Sequence, residues 1–121
     1  MEEFLTVLDG ADVVTLGTVG RVTGRETTRP VWFVRRDGSL YLLPVNGSAS
    51  QWYRNVLRTP TMHLAADGAE FEVRGRAITD PDAVEQIMDD FRGKYGAEDV
   101  DKYYAETEVA VEAPLDESQL F

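Results

Sequence analysis

The stretch GRVTGRETTRPVWF, residues 20–33, sets Arg21, Arg25 and Arg29 four residues apart in a glycine-punctuated turn that runs into an extended segment. The segment before it, DVVTLGTV (residues 12–19), is rich in β-branched side chains and predicts a strand. The segment after it predicts a second strand over residues 27–36. Pro30 lies inside that strand and cannot donate to a ladder, which places it at a sheet edge or a bulge. Asp37-Gly38 then closes a hairpin onto a third strand at residues 39–45. Strand, basic turn, proline-marked strand and tight hairpin set the character of the whole chain.

Moving outward, Phe4, Leu5 and Leu8 have helical spacing and predict a short N-terminal helix ended by Gly10. Beyond Asn46-Gly47-Ser48 the period changes, and Trp52, Tyr53, Val56 and Leu57 predict a crossover helix from Ser50 that Thr59-Pro60 stops. Residues 61–66 and 69–78 flank an Asp67-Gly68 hairpin. The second strand sets Phe71, Val73, Gly75 and Ala77 against Glu70, Glu72, Arg74 and Arg76, giving it one wet face. Asp80-Pro81 is a cap with a first-position proline, and Val84, Ile87, Met88, Phe91 and Tyr95 line one side of the helix that follows. Residues 97–105 predict a further helical turn or two, and residues 109–113 a last alternating strand. The expectation is an α+β fold of about six mostly antiparallel strands with three or four helices, arranged as a small closed or partly closed β-barrel whose openings the helices cover.

Composition narrows the function classes. The 121 residues, 43% apolar and 28% charged, predict a single domain over 1–121. No apolar run approaches the ~20 residues that span a bilayer, and Met1-Glu2-Glu3 lacks a basic signal-peptide start, so a cytoplasmic protein is expected. The absence of cysteine excludes thiolate chemistry and cysteine-ligated zinc, and a single histidine, His63, leaves no histidine metal cluster. Residues 17–58 hold seven arginines against Glu26 and Asp37, in a chain whose net charge is −10. That balance disfavours nucleic acid, whose phosphates the wider surface repels, and suits a small anionic ligand held locally.

Two elements carry candidate chemistry. In the first, Gly20 and Gly24 permit close backbone approach, the arginine forks supply charge, and Thr23, Thr27 and Thr28 add hydroxyl donors, the ingredients of an anion cradle. The same stretch also reads as a solvated hairpin whose arginines offset an acidic surface. In the second, residues 47–56, a glycine-serine loop leads into a helix and presents free N–H groups and the positive end of the helix dipole. Trp52 and Tyr53 there suit either a wall for a planar ring or the core. His63 lies opposite Met62 and Leu64 on its strand and is left outside the site.

Taken together, TxGRxTGRxxxxPVWFVRRDGxLYL, a small-residue loop and WYxNVxxxP resemble the deazaflavin-dependent nitroreductase family, split β-barrels related to pyridoxamine-phosphate oxidases. The resemblance covers about Thr15 to Leu64. It implies a cofactor groove built by Arg21, Thr23 and Arg25 in the turn, by Thr27, Thr28, Arg29, Pro30, Val31 and Trp32 beyond it, by Val45, Asn46, Gly47 and Ser48 in the loop, and by Trp52, Tyr53 and Asn55 on the helix. It further implies coenzyme F-420 as hydride donor to a small electron-poor acceptor, substrate-side tyrosines for which Tyr95, Tyr103 and Tyr104 are counterparts, no catalytic acid or base, and a homodimer. Three family positions that carry basic residues hold Val22, Thr27 and Asn46 here. These departures leave FMN, in the same barrel class, as the alternative cofactor, and a non-catalytic flavin- or deazaflavin-binding protein as a further alternative.

Overall fold

The computed structural model describes residues 8–66 and 68–115. Its strands are β1 (Val14–Val19), β2 (Glu26–Val31), β3 (Val34–Arg36), β4 (Ser39–Leu42), β5 (Thr61–Ala66), β6 (Ala69–Arg74), β7 (Arg76–Ile78) and β8 (Ala110–Pro114). A 3-10 turn at Gly47–Ala49 precedes helix α1 (Gln51–Arg58), and helices α2 (Pro81–Tyr95) and α3 (Ala97–Tyr103) lie between β7 and β8. Leu8 and Asp9 are helical, while the rest of the expected N-terminal helix falls outside the described residues. The fold is α+β, with two four-stranded sheets in the orders β2-β1-β5-β6 and β3-β4-β8-β7. Every pairing is antiparallel.

The described residues form eight strands where about six are expected, because two expected strands each bend from one sheet into the other. The segment over 27–36 divides at Trp32-Phe33 into β2, an edge of the first sheet, and β3, an edge of the second. The segment over 69–78 divides at Gly75 into β6 and β7, which occupy the two opposite edges. Corners of this kind let a twisted sheet fold over its own core. Pro30 sits on the edge strand β2, as its missing donor requires. Gly75 also has no room for a side chain: a Cβ there would lie 2.9 Å from Val56 Cγ1 and 3.0 Å from Met62 Sδ.

Between the sheets lies the main core, with Leu16, Leu64 and Met62 from one and Leu40, Leu42 and Val111 from the other. Helix α1 buries Trp52, Tyr53 and Val56 in that core. On the outer face of the second sheet α2 and α3 bury Val84, Ile87, Phe91 and Val100 against Val34, Leu43 and Ala110. The Asp80 carboxylate caps α2 by accepting from the Ala83 N–H at 3.0 Å, with Pro81 at its start. Strand β8 lies between β4 and β7 and keeps the alternation expected over 109–113, although both of its faces are buried. Its Val111 and Ala113 face the inter-sheet core, and Ala110 faces the helices. Glu112, also buried, is bonded by Ser39 Oγ at 2.7 Å and by Arg76.

The bend at Trp32-Phe33 creates a polar debt, since Phe33 is 1% exposed and lies between ladders. The end of α2 meets it. The Phe33 N–H donates to Tyr95 Oη at 3.0 Å, and the Phe33 carbonyl accepts from Lys94 Nζ at 3.0 Å. The Tyr95 hydroxyl hydrogen has Asp12 O at 2.7 Å and Phe33 O at 2.9 Å as acceptors. Burial pushes the Tyr95 phenol up to about 12 and lowers the Lys94 ammonium.

On the outer face of the first sheet Glu26 reaches across β1 to His63, with Oε2 at 2.7 Å from Nδ1, while Glu72 Oε1 lies 3.4 Å from Nε2. The crossing depends on Gly17, where a Cβ would meet Glu26 Oε1 at 2.7 Å. The Glu26 hydrogen bond raises the His63 pKa. The stabilisation is therefore complete below the unfolded histidine value of about 6.5 and lost as pH rises through the higher folded value. Melting temperatures measured from pH 5.5 to 8.5 should fall more for the parent than for His63→Gln; equal slopes would remove the clamp from the account. In urea unfolding, Gly75→Ala should cost about 1–3 kcal/mol through overpacking against Val56.

Candidate functional site

The β1–β2 turn is built as the glycines require. Gly24 has φ +72°, and its N–H donates to Gly20 O at 2.8 Å. Thr23 Oγ1 accepts from the Arg25 N–H at 3.2 Å, so this hydroxyl closes the turn. Arg21 leaves the turn toward α1: Nη2 donates to Gln51 Oε1 at 2.6 Å and Nη1 to Asn55 Oδ1 at 2.9 Å. Asn55, buried on α1, also accepts from the Arg21 backbone N–H at 3.2 Å. Arg21 and Asn55 thus tie turn to helix.

A groove of about 550 Å³ opens between β2, the segment after β4 and the start of α1. Its aromatic walls are Trp32, Trp52, Tyr103 and Tyr104, with Val13, Leu43 and Val45 adding apolar surface. Arg29 contributes a guanidinium, and no Asp or Glu among the described residues lines the groove. In β2 the residues paired with buried Leu16 and Thr18 are Arg29 and Thr27, so strand register turns Arg29 to the inner side. Arg29 forms no ion pair among the described residues, and neither does Arg25, which lies outside the groove. Where the groove meets α1, no side chain caps the helix start and no acid lies in its first turn. Donors and a helix dipole therefore face one end of an aromatic slot, which suits a planar ring bearing an anion.

The expected site residues divide accordingly. Arg29, Pro30, Val31, Trp32, Val45, Asn46, Trp52 and Tyr103 line the groove. Arg21, Thr23 and Asn55 are engaged in the turn-to-helix contacts, while Thr27 and Thr28 are exposed strand positions outside it. Tyr53 is core. Gly47 and Ser48 also stand apart, because every N–H from 46 to 50 already has an acceptor. Asn46 donates to Ser50 Oγ, Gly47 to Pro44 O, Ala49 to Asn46 O and Ser50 to Gly47 O. The Ser48 N–H donates to Glu108 Oε1 at 2.7 Å, so the chain's own carboxylate holds that cradle, and this bond lowers the Glu108 pKa. A Cβ on Gly47, at φ +59°, would overlap that same carboxylate.

The tyrosines divide too. Tyr95, expected on the substrate side, stacks on Trp32 at 4.2 Å with planes 6° apart, and its hydroxyl serves Phe33. It fixes the groove wall from behind. Tyr103 meets Trp32 edge-on at 5.8 Å and is part exposed at the groove mouth. Tyr104 is 4% exposed and lines the groove, and its hydroxyl has no hydrogen-bond partner among the described residues. Burial raises its pKa, which keeps it a neutral donor. Ala49, Ser50 and Gln51 at the helix start, with Val13 and Leu43, are lining residues that motif reading missed. The helix cap position was the available signal for the first three.

Residues 5–114 match the profile of a family described as an uncharacterized protein conserved in bacteria, DUF2255. The chain belongs to the DUF2255 family. This DUF2255 chain is similar in fold to a protein assigned as a 5-nitroimidazole antibiotic resistance protein from Bacteroides thetaiotaomicron, with TM-score 0.73 and 13% identity over 96% of this chain and 80% of that one. It is also similar to an F-420-H2-dependent reductase, with TM-score 0.66 and 16% identity over 84% and 93% of the two chains. A third similar structure is assigned as a pyridoxamine 5'-phosphate oxidase from Listeria innocua, with TM-score 0.70 and 17% identity over 95% and 93%. At these identities the likeness is one of fold. The family match is to DUF2255 rather than to the deazaflavin-dependent nitroreductases that the motifs resemble.

The two tyrosines separate structure from site. Tyr95→Phe should lose about 1–3 kcal/mol in urea unfolding, because it strands the buried Phe33 N–H. Tyr104→Phe should stay within about 0.5 kcal/mol of the parent, since its hydroxyl bonds nothing among the described residues. Equal losses in both would contradict this division.

Proposed function

We propose that this DUF2255 protein is an oxidoreductase whose groove holds a planar flavin-type cofactor, coenzyme F-420 or FMN, and passes a hydride to a small electron-poor organic acceptor. The observation that carries the reading is the pairing of Trp32 and Trp52 as walls with Arg29 and the uncapped start of α1, in a groove that no acid among the described residues lines. The residues fit such a group by size and donor set. Trp32 and Trp52 would orient the ring, Arg29 would hold an anionic substituent, and the neutral Tyr104 hydroxyl would donate a hydrogen bond to cofactor or acceptor. When bound, the cofactor supplies the hydride, so the protein needs no acid or base of its own.

The diversion of Arg21 to Gln51 and Asn55 favours FMN as the second reading, because one fewer guanidinium is available to a polyanionic tail. We place the protein in the cytoplasm and read the bent sheets as a split barrel. No helix among the described residues is long and apolar enough to cross a membrane. A homodimer is part of the same proposal: β2 is exposed along residues 26–30 on both faces and is paired on one side only, leaving an edge for a second copy to cover.

Titrating the purified protein with F-420 and, in parallel, FMN should give saturable fluorescence changes for one of them. Absence of binding for both at ~100 μM, roughly −5 kcal/mol, would sink the cofactor reading. Arg29→Ala should weaken the bound cofactor by about 1.5–3 kcal/mol, the size of a charge-assisted hydrogen bond. Unchanged affinity would move the anion elsewhere.

A further inference from the structure

Arg21 does not line the groove, yet its guanidinium grips a residue that does. Nη2 donates to Gln51 Oε1 at 2.6 Å and Nη1 lies 3.5 Å from the Gln51 backbone carbonyl. The same Nη1 is anchored on Asn55 Oδ1 at 2.9 Å, one turn along the helix, so the fork is held at two points. A primary carboxamide has an acceptor end and a donor end. A guanidinium carries donors alone, so contact with Arg21 assigns Oε1 to the arginine side and leaves Nε2 as the free end. The Gln51 Nε2 donates to no acceptor among the described residues, and Gln51 lines the groove. Without Arg21 the amide is free to rotate and offer its carbonyl instead.

We propose that Arg21 is a positioning residue that locks the Gln51 carboxamide with its NH2 toward the groove, so that the end of the groove at α1 recognises a hydrogen-bond acceptor edge, a carbonyl or an oxyanion. The lock itself stands on the Arg21–Gln51–Asn55 geometry. The ligand class rests on the cofactor reading above. The neighbouring groups agree in sign: Arg29, the helix start and the Tyr104 hydroxyl all offer positive charge or donors to this groove, and no acid among the described residues lines it. The arginine that the turn motif offers as an anion ligand acts instead through an intermediary.

The test uses Arg21→Ala, which retains the backbone N–H of position 21 and hence its bond to Asn55. In ligand-free protein, the side-chain NH2 resonances of Gln51 should be rigid by heteronuclear NOE in the parent and mobile in Arg21→Ala. Equal rigidity in both overturns the lock. For whichever of FMN and F-420 binds the parent, Arg21→Ala and Gln51→Ala should each weaken binding about tenfold, and the double variant should be no weaker than Gln51→Ala alone. Multiplied losses would show that Arg21 acts on the ligand by another route and overturn the proposal. If neither cofactor binds the parent, the cofactor reading fails and with it the ligand class, while the Gln51 resonances still decide the lock.

Discussion

The fold turns on the need to satisfy one buried peptide. Where the chain crosses from the first sheet to the second, Phe33 gains a fully buried ring but loses the ladder partners that strands supply. A helix that arrives more than sixty residues later makes up the loss, through the Tyr95 hydroxyl and the Lys94 ammonium. An unpaired buried N–H or carbonyl would cost about 1–3 kcal/mol, a large part of a small domain's stability. The same contact stacks Tyr95 on Trp32, and so the residue that closes the polar account also sets a wall of the groove. Fold and site share this corner.

Charge is distributed by a comparable division of labour. The chain is acidic, yet the lining of its groove is free of acids among the described residues. The arginines clustered between residues 17 and 58 do not act as one patch. Arg35 and Arg36 pair with Asp9 and Asp90, away from the groove lining. Arg54 bonds the Ser48 carbonyl, Arg21 braces α1, and Arg29 enters the groove. A single inward guanidinium beside an uncapped helix start focuses potential without the desolvation cost of a buried cationic cluster. The Gly47-Ser48 loop shows the converse: its geometry suits an anion, and Glu108 supplies one from within the chain.

Local patterns were good guides wherever the physics is local. Asp37-Gly38 predicts a tight turn, and Arg36 pairs with Ser39 around it, with Asp37 at φ +54°. Pro30 predicts an edge strand or a bulge, and it lies on an edge strand; Asp80-Pro81 predicts a capped helix start. The splitting of two strands was not legible, because a bend at Trp32-Phe33 or Gly75 changes no periodicity. It is fixed by what packs there, Tyr95 in one case and Val56 with Met62 in the other. The burial of both faces of β8 has the same origin, since its outer face is covered only once α2 and α3 are placed.

By itself the sequence determined the α+β class, the turns and caps, the helix with Trp52 and a concentration of arginine in one third of the chain, all consequences of short-range sterics and side-chain chemistry. Tertiary structure decided which of those residues meet. Arg21, Arg25 and Arg29 are equivalent in spacing, yet strand register turns Arg29 into the groove, helix α1 captures Arg21, and Arg25 remains on the turn. Tyr95 and Tyr104 are equally aromatic, yet one hydroxyl is consumed by a backbone corner and the other, at the groove, bonds no described residue. Such assignments depend on partners distant in sequence, which spacing along the chain does not encode.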